Sequence, residues 1–222
     1  MLYFLGQYLQ SFFGPARLLQ SYTVLIAIAL YLGFFLSYKL IPKFYNKLPH
    51  DRGREFAIKE TSDAAKGKPT GTGVVFITIF VVLCFLLIPF SFTRSLILLL
   101  TWFTMLSGFL DDRSVTSWGE YLKGFLDMLI SVAASVVLYY GLKNSSADGV
   151  VSFWLPFVSH TVAVNPVVYV VISTIMLWAS INTTNCTDGV DGLSATLVLI
   201  ALITLGVIFY FILGHVNIAS YL

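Results

Sequence analysis

The chain has 222 residues, of which 58% are hydrophobic and 11% charged, with a formal net charge of +2. Soluble domains carry roughly 25% charged residues, so this composition excludes an ordinary soluble globule and points to an all-α polytopic integral membrane protein. A net charge of +2 says little about partners, and no nucleic acid is expected among them; the placement of the charges says more.

A membrane-crossing helix needs about 20 predominantly apolar residues, and runs of that kind recur along the chain. Residues 1–17 are apolar and aromatic with a single charge, Arg17, and the run that follows exceeds the roughly 7–15 residues of a signal-peptide core. It is therefore read as a retained first span, residues 18–38. Residues 39–68 form a polar loop rich in Lys and Arg. The second span lies within residues 69–93, with its core at 74–90, and the third, residues 95–110, follows a very short turn around Arg94. The fourth covers residues 123–140 and starts from a charged turn. Residues 149–164, with Pro156 and His160, suggest a short outer-face hairpin or surface helix without chemistry. The fifth span begins near Pro166 and ends near Ile181, and the sixth covers residues 193–213. Residues 1–222 thus read as one transmembrane domain of about six helices.

Alternation through six spans puts loops 39–68, 111–123 and 182–192 on one side. They hold Lys39, Lys43, Lys47, Arg52, Arg54, Lys59, Lys66, Lys68, Arg113 and Lys123, against Arg17, Arg94 and Lys143 on the other. The positive-inside rule makes the first set cytoplasmic and the amino terminus external. All the acids except Asp148 lie on or near that same face. The rule does not require acids, so acidic tips on two separate short loops point to a cytoplasmic site that handles cations or phosphates.

Three stretches carry the chemistry. Residues 66–73 read Lys-Gly-Lys-Pro-Thr-Gly-Thr-Gly. Their glycines let backbone amides approach a phosphate or a planar ring, and Lys66 and Lys68 add mobile positive charge. The stretch does not match a Walker A loop. Gly108-Phe-Leu-Asp-Asp-Arg113 ends the third span with two adjacent carboxylates. Neighbouring helical residues point about 100° apart, so one acid faces the bundle and the other its flank; Arg113 could pair with one of them. Asn185-Cys-Thr-Asp-Gly-Val-Asp-Gly-Leu193 precedes the sixth span, and an intramembrane or membrane-edge acid is a functional-site hypothesis by default. If Asp188 and Asp191 continue into that helix, their spacing puts them on one side. Hard oxygen donors at this density suit Mg²⁺. Lys123 can snorkel toward the acids or a substrate phosphate, whereas Asp127 reads as its ordinary i,i+4 partner. Cys84 and Cys186 are separated by topology, so no disulfide is expected, and the three histidines make no metal-spacing motif.

These motifs resemble the polyprenyl-phosphate N-acetylhexosamine-1-phosphate transferases, and most closely the branch that transfers phospho-N-acetylmuramoyl-pentapeptide. The match runs from about residue 66 to 193 in family order. The 185–193 motif is the specific part; the Gly-Lys loop departs from the usual Gly-Thr-Pro-Thr-Met-Gly-Gly, leaving open whether Lys66 or Lys68 takes the family lysine's position. The resemblance implies transfer of the sugar phosphate from uridine diphosphate to undecaprenyl phosphate, releasing UMP with Mg²⁺ as cofactor and forming lipid I for peptidoglycan. It implies that Asp111 and Asp112 are catalytic and metal-binding. Substrate binding would fall to a loop lysine, Lys66 or Lys68, and to Asn185, Asp188, Gly189, Val190 and Asp191, with Asp191 and the 189–190 backbone near uracil; Lys123 joins them as a substrate-binding candidate from its own placement. UDP-N-acetylmuramoyl-pentapeptide, undecaprenyl phosphate and membrane lipid would be the partners, in a bacterial plasma (inner) membrane, and a homodimer is allowed for. The family has about ten spans, a further catalytic aspartate and a histidine-rich loop beyond the sixth, so the chain resembles its amino-terminal part and is expected to be inactive without the remainder.

The nearest rival is a sister transferase that uses UDP-N-acetylglucosamine. An ion or proton transporter would place acids near mid-membrane. Intramembrane aspartyl proteases use Tyr-Asp and Gly-x-Gly-Asp contexts, which are missing, and the phosphotransferases of phospholipid synthesis need an Arg after Asp-x-x-Asp-Gly that does not follow here.

Overall fold

A computed structural model describes residues 2–50, 67–114, 118–154, 161–187, 192–212 and 214. Helix α1 (Leu2–Leu9) and a 3-10 turn (Gly14–Gln20) fold against each other ahead of α2 (Tyr22–Phe44). Then come α3 (Gly73–Leu87), α4 (Phe92–Arg113), α5 (Glu120–Ser145), α6 (Pro166–Thr187) and α7 (Leu193–Val207), which runs on as a π turn, Ile208–Ile212. Strands β1 (Ser152–Trp154) and β2 (Thr161–Ala163) pair antiparallel, with Ser152 opposite Ala163. Five of the helices are long and apolar enough to cross a membrane, and α3 is a shorter apolar helix. The protein is an all-α, multi-pass membrane protein with a small hairpin.

The helices form where the apolar runs predict them, with ends set by local chemistry. α2 starts later and runs deeper than the span expected at residues 18–38, because Gly14-Pro15 holds the preceding turn in a 3-10 helix. α3 stops at Leu87, with Ile88 extended ahead of Pro89, since a residue before proline disfavours the α region. Arg94, expected in the turn, lies inside the first turn of α4 instead; the turn is Ile88–Ser91. α6 begins at Pro166, where a missing N–H costs nothing, and the Asn165 side chain accepts the Val167 N–H at 2.9 Å. The hairpin expected within residues 149–164 forms from Ser152–Trp154 and Thr161–Ala163.

Successive helices α2 to α6 pack as antiparallel neighbours, and α7 touches α6 lightly. Within lipid there is no hydrophobic drive for helices to associate, so small residues and interhelical hydrogen bonds decide the contacts. Between α2 and α3 the core is aliphatic: Leu25 against Val75, Ile79, Leu83 and Leu87. Between α3 and α4, the Trp102 indole donates to Thr78 Oγ1 at 3.1 Å. α4 and α5 close up at Gly141, where an added Cβ would meet the Thr93 methyl at 2.5 Å. α5 and α6 meet along a buried polar line. The Ser131 and Ser135 hydroxyls donate to carbonyls one turn back, Thr174 donates to Ser135 Oγ at 3.2 Å, and the Trp178 indole donates to the Gly124 carbonyl at 2.9 Å. Interhelical hydrogen bonds of this kind contribute on the order of 0.6 kcal/mol each. At the far end Phe153 of the hairpin stacks on Tyr169, which also meets Tyr139.

Candidate functional site

Antiparallel packing gathers the end of α2, both ends of the 67–73 loop, the end of α4, the start of α5 and the end of α6 on one side. The Gly-Lys loop is held there by backbone. Thr70 N–H donates to the Pro49 carbonyl at 2.7 Å, and His50 bridges Pro69. Gly71 has φ +67° and lies so near α4 that an added Cβ would stand 2.9 Å from the Phe109 ring. Only glycine accepts both that backbone and that approach. The loop is thereby fixed two residues from the acidic end of α4.

Asp111 sits in the last turn of α4, and Lys123 in the first turn of α5. Each charge is on the wrong end of its helix: the dipole favours cations at the carboxyl end and anions at the amino end. Each offsets the other, with Lys123 Nζ 3.3 Å from Asp111 Oδ2. The same ammonium donates to Asn185 Oδ1, also at 3.3 Å, so α4, α5 and α6 converge on one cationic point. Asp111 Oδ1 accepts the Trp118 backbone N–H at 2.8 Å, and Ser114 Oγ donates to the Asp111 carbonyl at 2.7 Å. The carboxylate is thus held from both sides while Asp112, its neighbour, is exposed.

Beneath this junction lies a cavity of about 540 Å³. Ile77, Gly108, Lys123, Asp127, Asn185 and Ser194 bring α3 to α7 into its wall. Asp127 is only 3% exposed. Its Oδ2 and the Ser107 Oγ are the two buried side-chain atoms without a hydrogen-bond partner among the described residues.

Of the residues singled out from sequence, Asp111, Lys123 and Asn185 are brought together. Lys68 is exposed, three residues before Gly71, and Asp112 is on the flank. Lys66, Asp188, Gly189, Val190 and Asp191 lie outside the described residues. The Lys123 ammonium reaches the acids as its snorkelling stem predicts, at Asp111, and it meets Asn185 as well; the expected i,i+4 pair with Asp127 is corrected, because the two acceptors come from the ends of α4 and α6 while Asp127 sits a turn deeper. Sequence reasoning missed the Trp118 amide, which as a backbone donor leaves no mark in residue type.

The glycosyl transferase family 4 profile matches residues 95–222. The chain is 52% identical over 215 residues to a phospho-N-acetylmuramoyl-pentapeptide-transferase of Treponema pallidum (strain Nichols), covering 97% of this chain and 58% of that protein. It is 30% identical to the protein of the same name from Campylobacter curvus, covering 93% and 60%, and 28% identical to that of Aquifex aeolicus, covering 100% and 63%. The chain therefore spans about three fifths of the length of these curated relatives. No solved structure matches it. With more than half its residues, both acidic motifs included, inside the matched region, the chain belongs to glycosyl transferase family 4.

Proposed function

We propose that this chain forms part of a phosphoglycosyl transferase that moves phospho-N-acetylmuramoyl-pentapeptide from UDP to undecaprenyl phosphate. An oxygen of the lipid phosphate attacks the sugar-bearing phosphorus, the bond to the bridging oxygen breaks, and UMP leaves with that oxygen. The lipid phosphate has a second pKa near 6, so it arrives largely ionised. The obstacle is bringing one anion to another. The observation that carries the reading is the convergence of Asp111, Lys123 and Asn185 from three helices at one rim, beside the Gly71 loop.

Asp111 Oδ2 and Asn185 Oδ1 both point at the Lys123 ammonium, so two hard oxygens already converge on a cation's position. That fits Mg²⁺, which needs only one or two carboxylates and takes the rest of its shell from water and phosphates. Asp111 would hold it, with Asn185 Oδ1 beside it and the Asp112 carboxylate adding charge from the flank. Bound there, Mg²⁺ supplies charge neutralisation for the attacked diphosphate and the departing UMP. Lys123 and the lysines of the 66–73 loop bind substrate phosphates, Asn185 and Asp188 orient the nucleotide sugar, and Asp191 with the 189–190 backbone reads uracil. The site faces the cytoplasm of a bacterial plasma membrane, with the amino terminus outside.

The test is UMP release by the full-length protein with undecaprenyl phosphate, with and without Mg²⁺, comparing UDP-N-acetylmuramoyl-pentapeptide with UDP-N-acetylglucosamine. Release only from the first, abolished by chelation, is expected. Release only from the second makes the protein the sister transferase, and release from neither refutes both.

A further inference from the structure

Both carboxylate oxygens of Asp111 are engaged: Oδ1 holds the Trp118 amide and Oδ2 holds the Lys123 ammonium. A divalent cation arriving at Oδ2 must displace that ammonium or bind against a like charge. Asp127 lies four residues along α5 from Lys123, on the same face and one turn deeper. It lines the same cavity as Lys123 and Asn185. Its Oδ2 is buried with no donor among the described residues, and the Ser131 hydroxyl, the neighbour one turn below, donates instead to the Asp127 carbonyl. A buried carboxylate oxygen without a partner is among the costliest arrangements in a protein interior. A charged donor that arrives in another state would relieve it. Lysine, a compact charge on a flexible four-carbon stem, is the residue able to supply it.

We propose that Asp127 is a positioning residue, the second seat onto which the Lys123 ammonium moves when a divalent cation takes Oδ2 of Asp111. The proposal rests on Asp111 being a cation ligand. The i,i+4 pair that sequence spacing predicts is then the cation-loaded arrangement. Cation entry and withdrawal of the ammonium are coupled, so the cavity never holds two uncompensated positive charges side by side.

The test is Mn²⁺ binding to the detergent-solubilised full-length protein without substrates, followed by electron paramagnetic resonance. Wild type binds Mn²⁺; Asp127→Asn, which keeps the shape and loses the charge, binds it roughly tenfold more weakly, and Asp127→Glu restores most of the affinity. Lys123→Met binds Mn²⁺ more tightly, and adding Asp127→Asn to it changes nothing further. Unchanged affinity in Asp127→Asn overturns the proposal, as does an equal loss in the Lys123→Met background, which would make Asp127 a direct ligand. In labelled wild type, the Asp127 carboxyl carbon resonance shifts when Mg²⁺ is added, and a static resonance overturns the proposal without any variant. If wild type binds no Mn²⁺, the reading of Asp111 as a cation ligand falls first.

Discussion

Gly71→Ala tests whether the Gly-Lys loop is fixed against the acidic helix end. At φ +67° an alanine meets the left-handed penalty of about 1–2 kcal/mol. Its Cβ would also stand 2.9 Å from Phe109 Cδ2 and 3.3 Å from Cε2, with Pro49 Cγ at 3.4 Å limiting any retreat. Overpacking of that kind adds about 1–3 kcal/mol. Gly67→Ala is the matched control, because φ there is +82° yet nothing lies within 4 Å of the new methyl. It bears the backbone term alone. Thermal unfolding of both variants in detergent, followed by circular dichroism, is expected to place Gly71→Ala lower by about 2–12 °C, taking roughly 2–4 °C per kcal/mol for a protein of this size. Phe109→Ala in the Gly71→Ala background should recover the difference in a double-mutant cycle. Equal melting points for the two glycine variants, or no coupling to Phe109, would falsify the close approach between loop and helix.

Asp111→Asn is expected to lower UMP release on the order of a hundredfold, with the helical signal unchanged because the amide oxygen can still accept the Trp118 N–H; Asp188→Asn is expected to do the same, and near-normal turnover in both would remove the site assignment. Gly141→Val drives a side chain into Thr93 and should destabilise the α4–α5 pair by about 1–3 kcal/mol, a loss that Thr93→Ala partly relieves in thermal unfolding and that a packing-neutral Gly141 would not show.

The apolar runs were enough to locate every long helix, since lipid imposes one periodic requirement on whole segments. Where the expectation slipped, a local term outweighed hydropathy. Charge usually marks a loop, which puts Arg94 in the turn, yet it sits in the helix. Pro89 two residues after Leu87 is what shortened α3. The convergence of Asp111, Lys123 and Asn185 was legible as residues sharing a membrane face, because topology alone brings such ends together. Lys123 also reads from sequence as a stem able to carry its ammonium to the acids, and it does so at Asp111; which acceptor it meets is not legible, because spacing of four along α5 offers Asp127 and no within-helix rule contains an interhelical acceptor. Gly71 was read as a phosphate-approaching residue; that it also admits the Phe109 ring depends on a partner 38 positions away, which no local pattern encodes.

The shortness of α3 has a consequence for the lipid around it. Fifteen residues rise only about 22 Å, against a hydrocarbon slab of roughly 30 Å. Beyond Leu87 the chain continues as Ile88, Pro89 and Phe90 in non-helical backbone, whose peptide groups need water or a partner. Phe76, Phe80, Val82 and Leu86 are exposed on the helix, an apolar surface for any acyl chain that reaches it. Where lipid meets that surface, hydrophobic mismatch favours a bilayer thinner along α3 than along the longer helices beside it.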